Sequence, residues 1–208
     1  MFMKKFSLIL LFLTINCLFS QSKKEVEFQN TIKKVINLYN DKNFDELNKL
    51  IDNENGIYFI TKNGVYEYWY LKSGFSSNDS LKEAHMIYPY NDIIKQQEIY
   101  NSFDKIYFEN YSYNCNAINK EGIYIKSKDN MFSNLIKKYI EFNDLGLNEK
   151  DLKLQLKKIK KIECSSRKII LISNEEAKWG KSFIFYLTYS NKKWFLTIID
   201  FATLDCSV

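Results

Sequence analysis

The chain has 208 residues, 46% of them apolar and 26% charged, a balance that supports a buried core and excludes a disordered or collagen-like polymer. Six glycines and a single proline leave little material for linkers, and no repeat of solenoid length recurs, so the chain reads as one domain of regular structure. The formal charge of +5 is a mild lysine excess of the kind an AT-rich genome produces, and it does not point to nucleic acid.

Lys4 and Lys5 precede an apolar run from Phe6 to Phe19, and Ser20-Gln21-Ser22 opens a polar segment. This order is that of a secretory signal peptide, and the run is too short for the roughly 20 apolar residues of a membrane-spanning helix. The expected division is a signal peptide over residues 1–20 and one α+β domain over 21–208. The product is expected to be secreted or periplasmic, with no transmembrane segment after processing. Removal of the leader takes away two lysines and no acid. Cys17 sits where a lipoprotein signal would place its lipidated cysteine, but the residue before it is Asn16 instead of a small one, which favours ordinary secretion.

Phe28, Ile32, Val35, Ile36 and Tyr39 share one face of a helix over 24–40. Asn43 and Glu46 have the form of a capping box opening a second, shorter helix with Phe44, Leu47, Leu50 and Ile51 as its apolar stripe. Gly56 ends the helical pattern, and Asn63-Gly64 joins two strands, Ile57 to Thr61 and Val65 to Leu71. A loop follows over 73–80, then a helical stretch to about Phe103, interrupted by Pro89. Strands are expected at Ile106 to Cys115 and Gly122 to Ser127. Helical stripes follow at Phe132, Leu135, Ile136, Tyr139 and Ile140, and from Asn148 through Leu152, Leu156 and Ile159. Strands at Lys168 to Ser173, Phe183 to Tyr189 and Trp194 to Phe201 close the chain, the last two joined by a turn at Ser190 to Lys193. The expected fold is α+β: an N-terminal helical hairpin, an antiparallel sheet with inserted helices on one side, and a C-terminal β-hairpin.

The hairpin of residues 24–52 together with the ending FIFYLTYSNKKWFLTIIDF resembles the nuclear-transport-factor-like and ketosteroid-isomerase-like α+β cone. The ending, with Trp194, Asp200 and the DCS of residues 205–207, also resembles uncharacterised secreted proteins of Gram-negative bacteria. The two-helix segment from 131 to 161 departs from the compact cone. The resemblance implies a fold with a pocket and leaves the activity open, since the superfamily holds enzymes and binding modules alike.

Candidate chemistry is sparse. His85 is the single histidine, and nothing at helical spacing supports it as a catalytic base. Gly180-Lys181-Ser182 has the tail of a phosphate loop but lacks the first glycine, where Glu175 stands, and it leads into a strand instead of a helix. Asp200 is out of pattern in an apolar strand. Strict alternation puts it on one face with Trp194, Leu196 and Ile198, where it would serve as a pocket base or ligand anchor, with Glu67 and a tyrosine beside it, or as a strand-end acid reaching solvent or a backbone amide. Lys150, Lys153, Lys157, Lys160 and Lys161 form a basic stripe suited to an anionic surface or simply to solvent. Tyr66, Tyr68, Trp69 and Tyr70 form one dense aromatic cluster and Tyr88 with Tyr90 another, and exposed tyrosines of this kind suit a protein, glycan or small-molecule partner.

No cofactor loop or metal constellation is recognised. Three cysteines follow the leader. In a closing three-strand meander, Cys164 and Cys206 fall at opposite sheet ends, about 26 Å apart against the ~6 Å of a disulfide, which leaves Cys115 with Cys206 as the expected pair. The expected function is a secreted or envelope-associated non-enzymatic binding protein. A small enzyme built on Asp200 and a peripheral membrane binder using the lysine stripe are the alternatives.

Overall fold

A computed structural model of the chain describes residues 23–63, 66–75, 106–107, 111, 113–114, 121–142, 148–172 and 182–204. Helix α1 spans residues 23–40, and the predicted stripe of Phe28, Ile32, Val35, Ile36 and Tyr39 is buried along its length. Helix α2 (Phe44–Asn48) is capped by Asn43, whose side chain accepts a hydrogen bond from the Glu46 amide at 3.2 Å. The reciprocal half of the capping box does not form. The Asn43 amide donates to Leu38 O at 2.9 Å, and the Glu46 carboxylate pairs with Lys49.

Gly56 then adopts φ of 66°, and a Cβ there would lie 2.5 Å from Lys72 O. Only glycine both tolerates that backbone conformation and lets the two strands approach. Strands β1 (Ile57–Asn63) and β2 (Tyr66–Lys72) pair antiparallel from Ile57↔Lys72 to Asn63↔Tyr66. Further along lie β3 (Ile106–Tyr107), β4 (Gly122–Lys126), helix α3 (Met131–Phe142), helix α4 (Glu149–Cys164), β5 (Ser166–Ile172), β6 (Ser182–Ser190) and β7 (Lys193–Asp200). Asn148 caps α4 through the Lys150 amide at 2.9 Å. Asn191 and Lys192, with φ of 49° and 62°, form the tight turn between β6 and β7.

The α+β class holds, with the expected N-terminal helices and closing hairpin. The seven strands lie in the order β2-β1-β7-β6-β5-β4-β3. Four neighbouring pairs are antiparallel, whereas β1 with β7 and β3 with β4 are parallel. The last strand thus docks beside the first.

Helices cover both faces of the sheet, not one. Helices α1 and α2 pack with Phe59, Phe183, Phe185 and Leu196 on one side. Helices α3 and α4 pack with Tyr58, Ile170, Ile184 and Ile198 on the other. The physical reason is legible in β5 and β6, where residues 168–172 and 183–188 are buried without interruption. Such strands have no polar face to offer to water.

Alternation also fails once. Between Leu187↔Leu196 and Tyr186↔Ile198 the register shifts by one residue, a bulge at Thr197. Trp194 and Leu196 consequently face α1, while Ile198 joins the core under α3 and α4. An extra residue in one strand turns every following side chain to the opposite face. Asp200, expected on the face of Trp194, is therefore carried to the other side.

Candidate functional site

Beneath α3 and α4, Asp200 is fully buried and its carboxylate is occupied on all sides. Oδ1 accepts from the Thr203 amide at 2.9 Å, and Oδ2 accepts from Thr203 Oγ1 at 2.6 Å and Lys168 Nζ at 3.1 Å. Lys168 also pairs with Asp129 at 3.2 Å, and the Tyr186 hydroxyl donates to Asp129 Oδ2 at 2.9 Å. Burial pushes the Asp129 carboxyl up, but Lys168, Tyr186 and Lys126 outweigh it and hold the group below its usual 3.8. That contribution to stability is present above the ordinary carboxylate range and is lost as pH falls through the lowered value. Burial, with Asp200 and Asp129 nearby, drives the Tyr186 phenol well above its ordinary value.

Of the readings for Asp200, the bound backbone amide is present and the acid reaching solvent is not, since the side chain is fully buried in an ion pair to Lys168 that periodicity does not anticipate. The signal for it is a lysine at the start of the apolar KIILI run. Glu67 sits on β2, two strands from Asp200, and shares no hydrogen bond with it.

Glu163 approaches the same cluster from α4. Its Oε1 accepts from the Ser133 amide at 3.0 Å, near the start of α3, and Oε2 has no hydrogen-bond partner among the described residues. Burial raises its carboxyl above the usual 4.5 despite the Ser133 hydrogen bonds, and Asp129 adds to the effect. A proton held more tightly in the folded than in the unfolded chain means that ionisation destabilises the fold. The penalty is absent below the ordinary pKa and grows as pH rises through it toward the raised value. Glu163→Gln is therefore expected to gain stability over the parent between pH 4 and pH 7, measured by urea unfolding at both. An equal difference at the two pH values would refute the assignment.

The aromatic cluster divides by strand alternation. Trp69 points toward α3, where it meets Tyr139 at 4.9 Å and Phe132 at 5.8 Å. Tyr70 lies on the opposite face, stacked on Phe59 at 5.2 Å. These two fasten the β2 strand to the sheet. Tyr66 is half exposed and contacts Tyr68 at 6.5 Å, on the same face as Tyr70.

The lysine stripe is placed as its spacing predicts. Lys150, Lys153, Lys157, Lys160 and Lys161 are exposed along α4, while Leu152 and Ile159 are buried. Lys153 is tied to Glu149. One residue breaks the amphipathic pattern: Leu154 lies among the charges and is 70% exposed. It faces Leu71, itself 48% exposed, across a groove of about 620 Å³ with Tyr58 also in its wall. Lys157, Lys158 and Lys161 line the groove as well. The stripe and the end of β2 are thus brought together, which neither segment signals alone. Leu154 was the available clue, an apolar residue on a charged helical face.

Cys164 carries an exposed free thiol. Cys115, Cys206, His85, Tyr88, Tyr90, Gly180, Lys181 and Cys17, with the helical stretch expected up to Phe103, lie outside the described residues. Among the described residues no helix is long and apolar enough to cross a membrane, and no group of three or more His, Cys, Asp or Glu is placed to hold a metal ion. No family model, curated protein or solved structure matches the chain.

Proposed function

We propose that the protein is a secreted or envelope-associated, non-enzymatic binding protein that takes its ligand in the groove between α4 and the end of β2. The observation that carries this reading is the pair Leu154 and Leu71, 70% and 48% exposed, facing one another across an apolar-walled groove. Ligand sites are concavities lined mainly by apolar side chains with a few polar groups placed to fix orientation. The side chain with the best claim to acid–base chemistry, Asp200, is fully buried in an ion pair, which favours a structural role over proton transfer. The likeness to the cone superfamily does not choose between enzyme and binding module. The export signal favours a ligand met outside the cytosol, and native protein recovered from the cell envelope should begin near Gln21.

The groove is tested with anilinonaphthalenesulfonate, a fluorophore that brightens in apolar sites. Saturable one-to-one enhancement by the native protein is expected. Leu154→Glu combined with Leu71→Glu should remove it while leaving the unfolding midpoint nearly unchanged, because both side chains are largely solvated. Enhancement that survives both substitutions would place the site elsewhere.

A further inference from the structure

The groove has an electrostatic direction. Asp151, Leu154, Lys158 and Lys161 succeed one another along α4 and line one wall, with Tyr58 and Leu71 opposite. At 1.5 Å per residue, Asp151 and Lys161 stand about 15 Å apart. Neither Lys157 nor Lys161 has an ion-pair partner among the described residues, and Lys158 donates to the Asn55 carbonyl at 3.5 Å while its ammonium lies 5.8 Å from the Tyr58 ring centre. One end therefore gathers three ammonium groups, the middle is apolar, and the other end carries a single carboxylate.

We infer that the groove binds a single-chain anionic amphiphile, its acidic head among Lys157, Lys158 and Lys161 and its hydrocarbon chain along Leu154 and Leu71. The inference rests on the groove being the binding surface and adds the class of ligand. The exposed apolar side chains of the groove, Leu154 and Leu71, suit a hydrocarbon chain, which needs no hydrogen bonds along its length. A flat anionic membrane would engage the convex face of α4, where Lys153 is already paired with Glu149. Asp151 also sets a requirement on the tail, which must end without negative charge.

The experiment is calorimetric titration of the processed chain with amphiphiles kept below their micellar concentrations. Dodecanoate should bind one to one, and each methylene removed toward octanoate should weaken binding about two- to fourfold, as expected for partial to full burial of each CH₂. Dodecyltrimethylammonium should bind at least about tenfold more weakly, and dodecanedioate, which places a second carboxylate near Asp151, should also fall below dodecanoate. Lys157→Gln with Lys161→Gln should weaken dodecanoate about tenfold and leave dodecanol unchanged.

Equal binding of the cationic and anionic chains, or indifference to the lysine substitutions, would overturn the inference. If dodecanoate fails while anilinonaphthalenesulfonate still enters the groove, the ligand class is wrong and the binding surface stands. Failure of both removes the surface as well. Retention on phosphatidylglycerol vesicles that dodecanoate does not compete would assign the lysines to a membrane surface and overturn the amphiphile.

Discussion

Lys168→Met is expected to destabilise the fold by about 3–5 kcal/mol, the usual consequence of removing one partner from a buried ion pair. The lysine side chain is 7% exposed and stands between Asp200, which has no exposure, and Asp129, at 12%. Methionine fills most of the same volume but leaves two carboxylates facing each other through low-dielectric surroundings, with Asp200 still held by Thr203 and Asp129 by Tyr186 and Lys126. The loss is therefore a charge effect, not a cavity effect. A double variant, Lys168→Met with Asp200→Asn, separates the two, because neutralising one carboxylate should recover part of the loss. Urea unfolding of the parent, both single variants and the double variant gives the coupling directly. A double variant whose loss equals the sum of the two singles would show that Lys168 contributes through packing alone.

Trp194→Ala is expected to cost a similar ~3–5 kcal/mol, here through lost packing. The indole is 5% exposed and meets Phe28 at 4.6 Å and Tyr189 at 5.0 Å. Its N–H donates to Lys24 O at 3.3 Å. Arg167 lies over both Phe28 and Trp194, and its guanidinium is held by Glu25 at 2.8 Å. The ammonium of Lys24 lies 3.9 Å from the Tyr189 ring centre. Trp194 thus joins the first turns of α1 to the closing hairpin, across the full length of the domain sequence. Its removal should loosen the start of α1 before the rest, read as faster amide exchange there than in β5 or β6. Trp194→Phe should keep most of the packing and lose about 1 kcal/mol for the missing hydrogen bond. Uniform exchange throughout the domain in the alanine variant would contradict the tethering role.

The two faces of β7 mark the limit of what local patterning encodes. Trp194 through Leu196 and Ile198 through Asp200 each alternate correctly, yet they face opposite layers because Thr197 is an extra residue in the ladder. Thr197 Oγ1 lies 2.6 Å from Thr188 Oγ1, a polar contact inside the layer that no window on one strand reveals. The helices present the opposite case. The stripe of α1, the Asn148 cap and the lysine face of α4 each depend on residues a few positions apart, and each was recovered with its boundaries nearly intact.

The information written locally in the chain is therefore which segments are helices and strands, where caps and turns fall, and the α+β class that follows from their order. Periodicity, capping and turn chemistry act within a few residues, so they are written wherever the chain is read. The tertiary structure alone decided that β7 inserts beside β1, that Lys168 lies between Asp129 and Asp200, and that Leu154 meets Leu71 across a groove. Those outcomes depend on strand register and helix placement between residues far apart in the chain, and that choice is made by the fit of two complete core layers, not by any one segment.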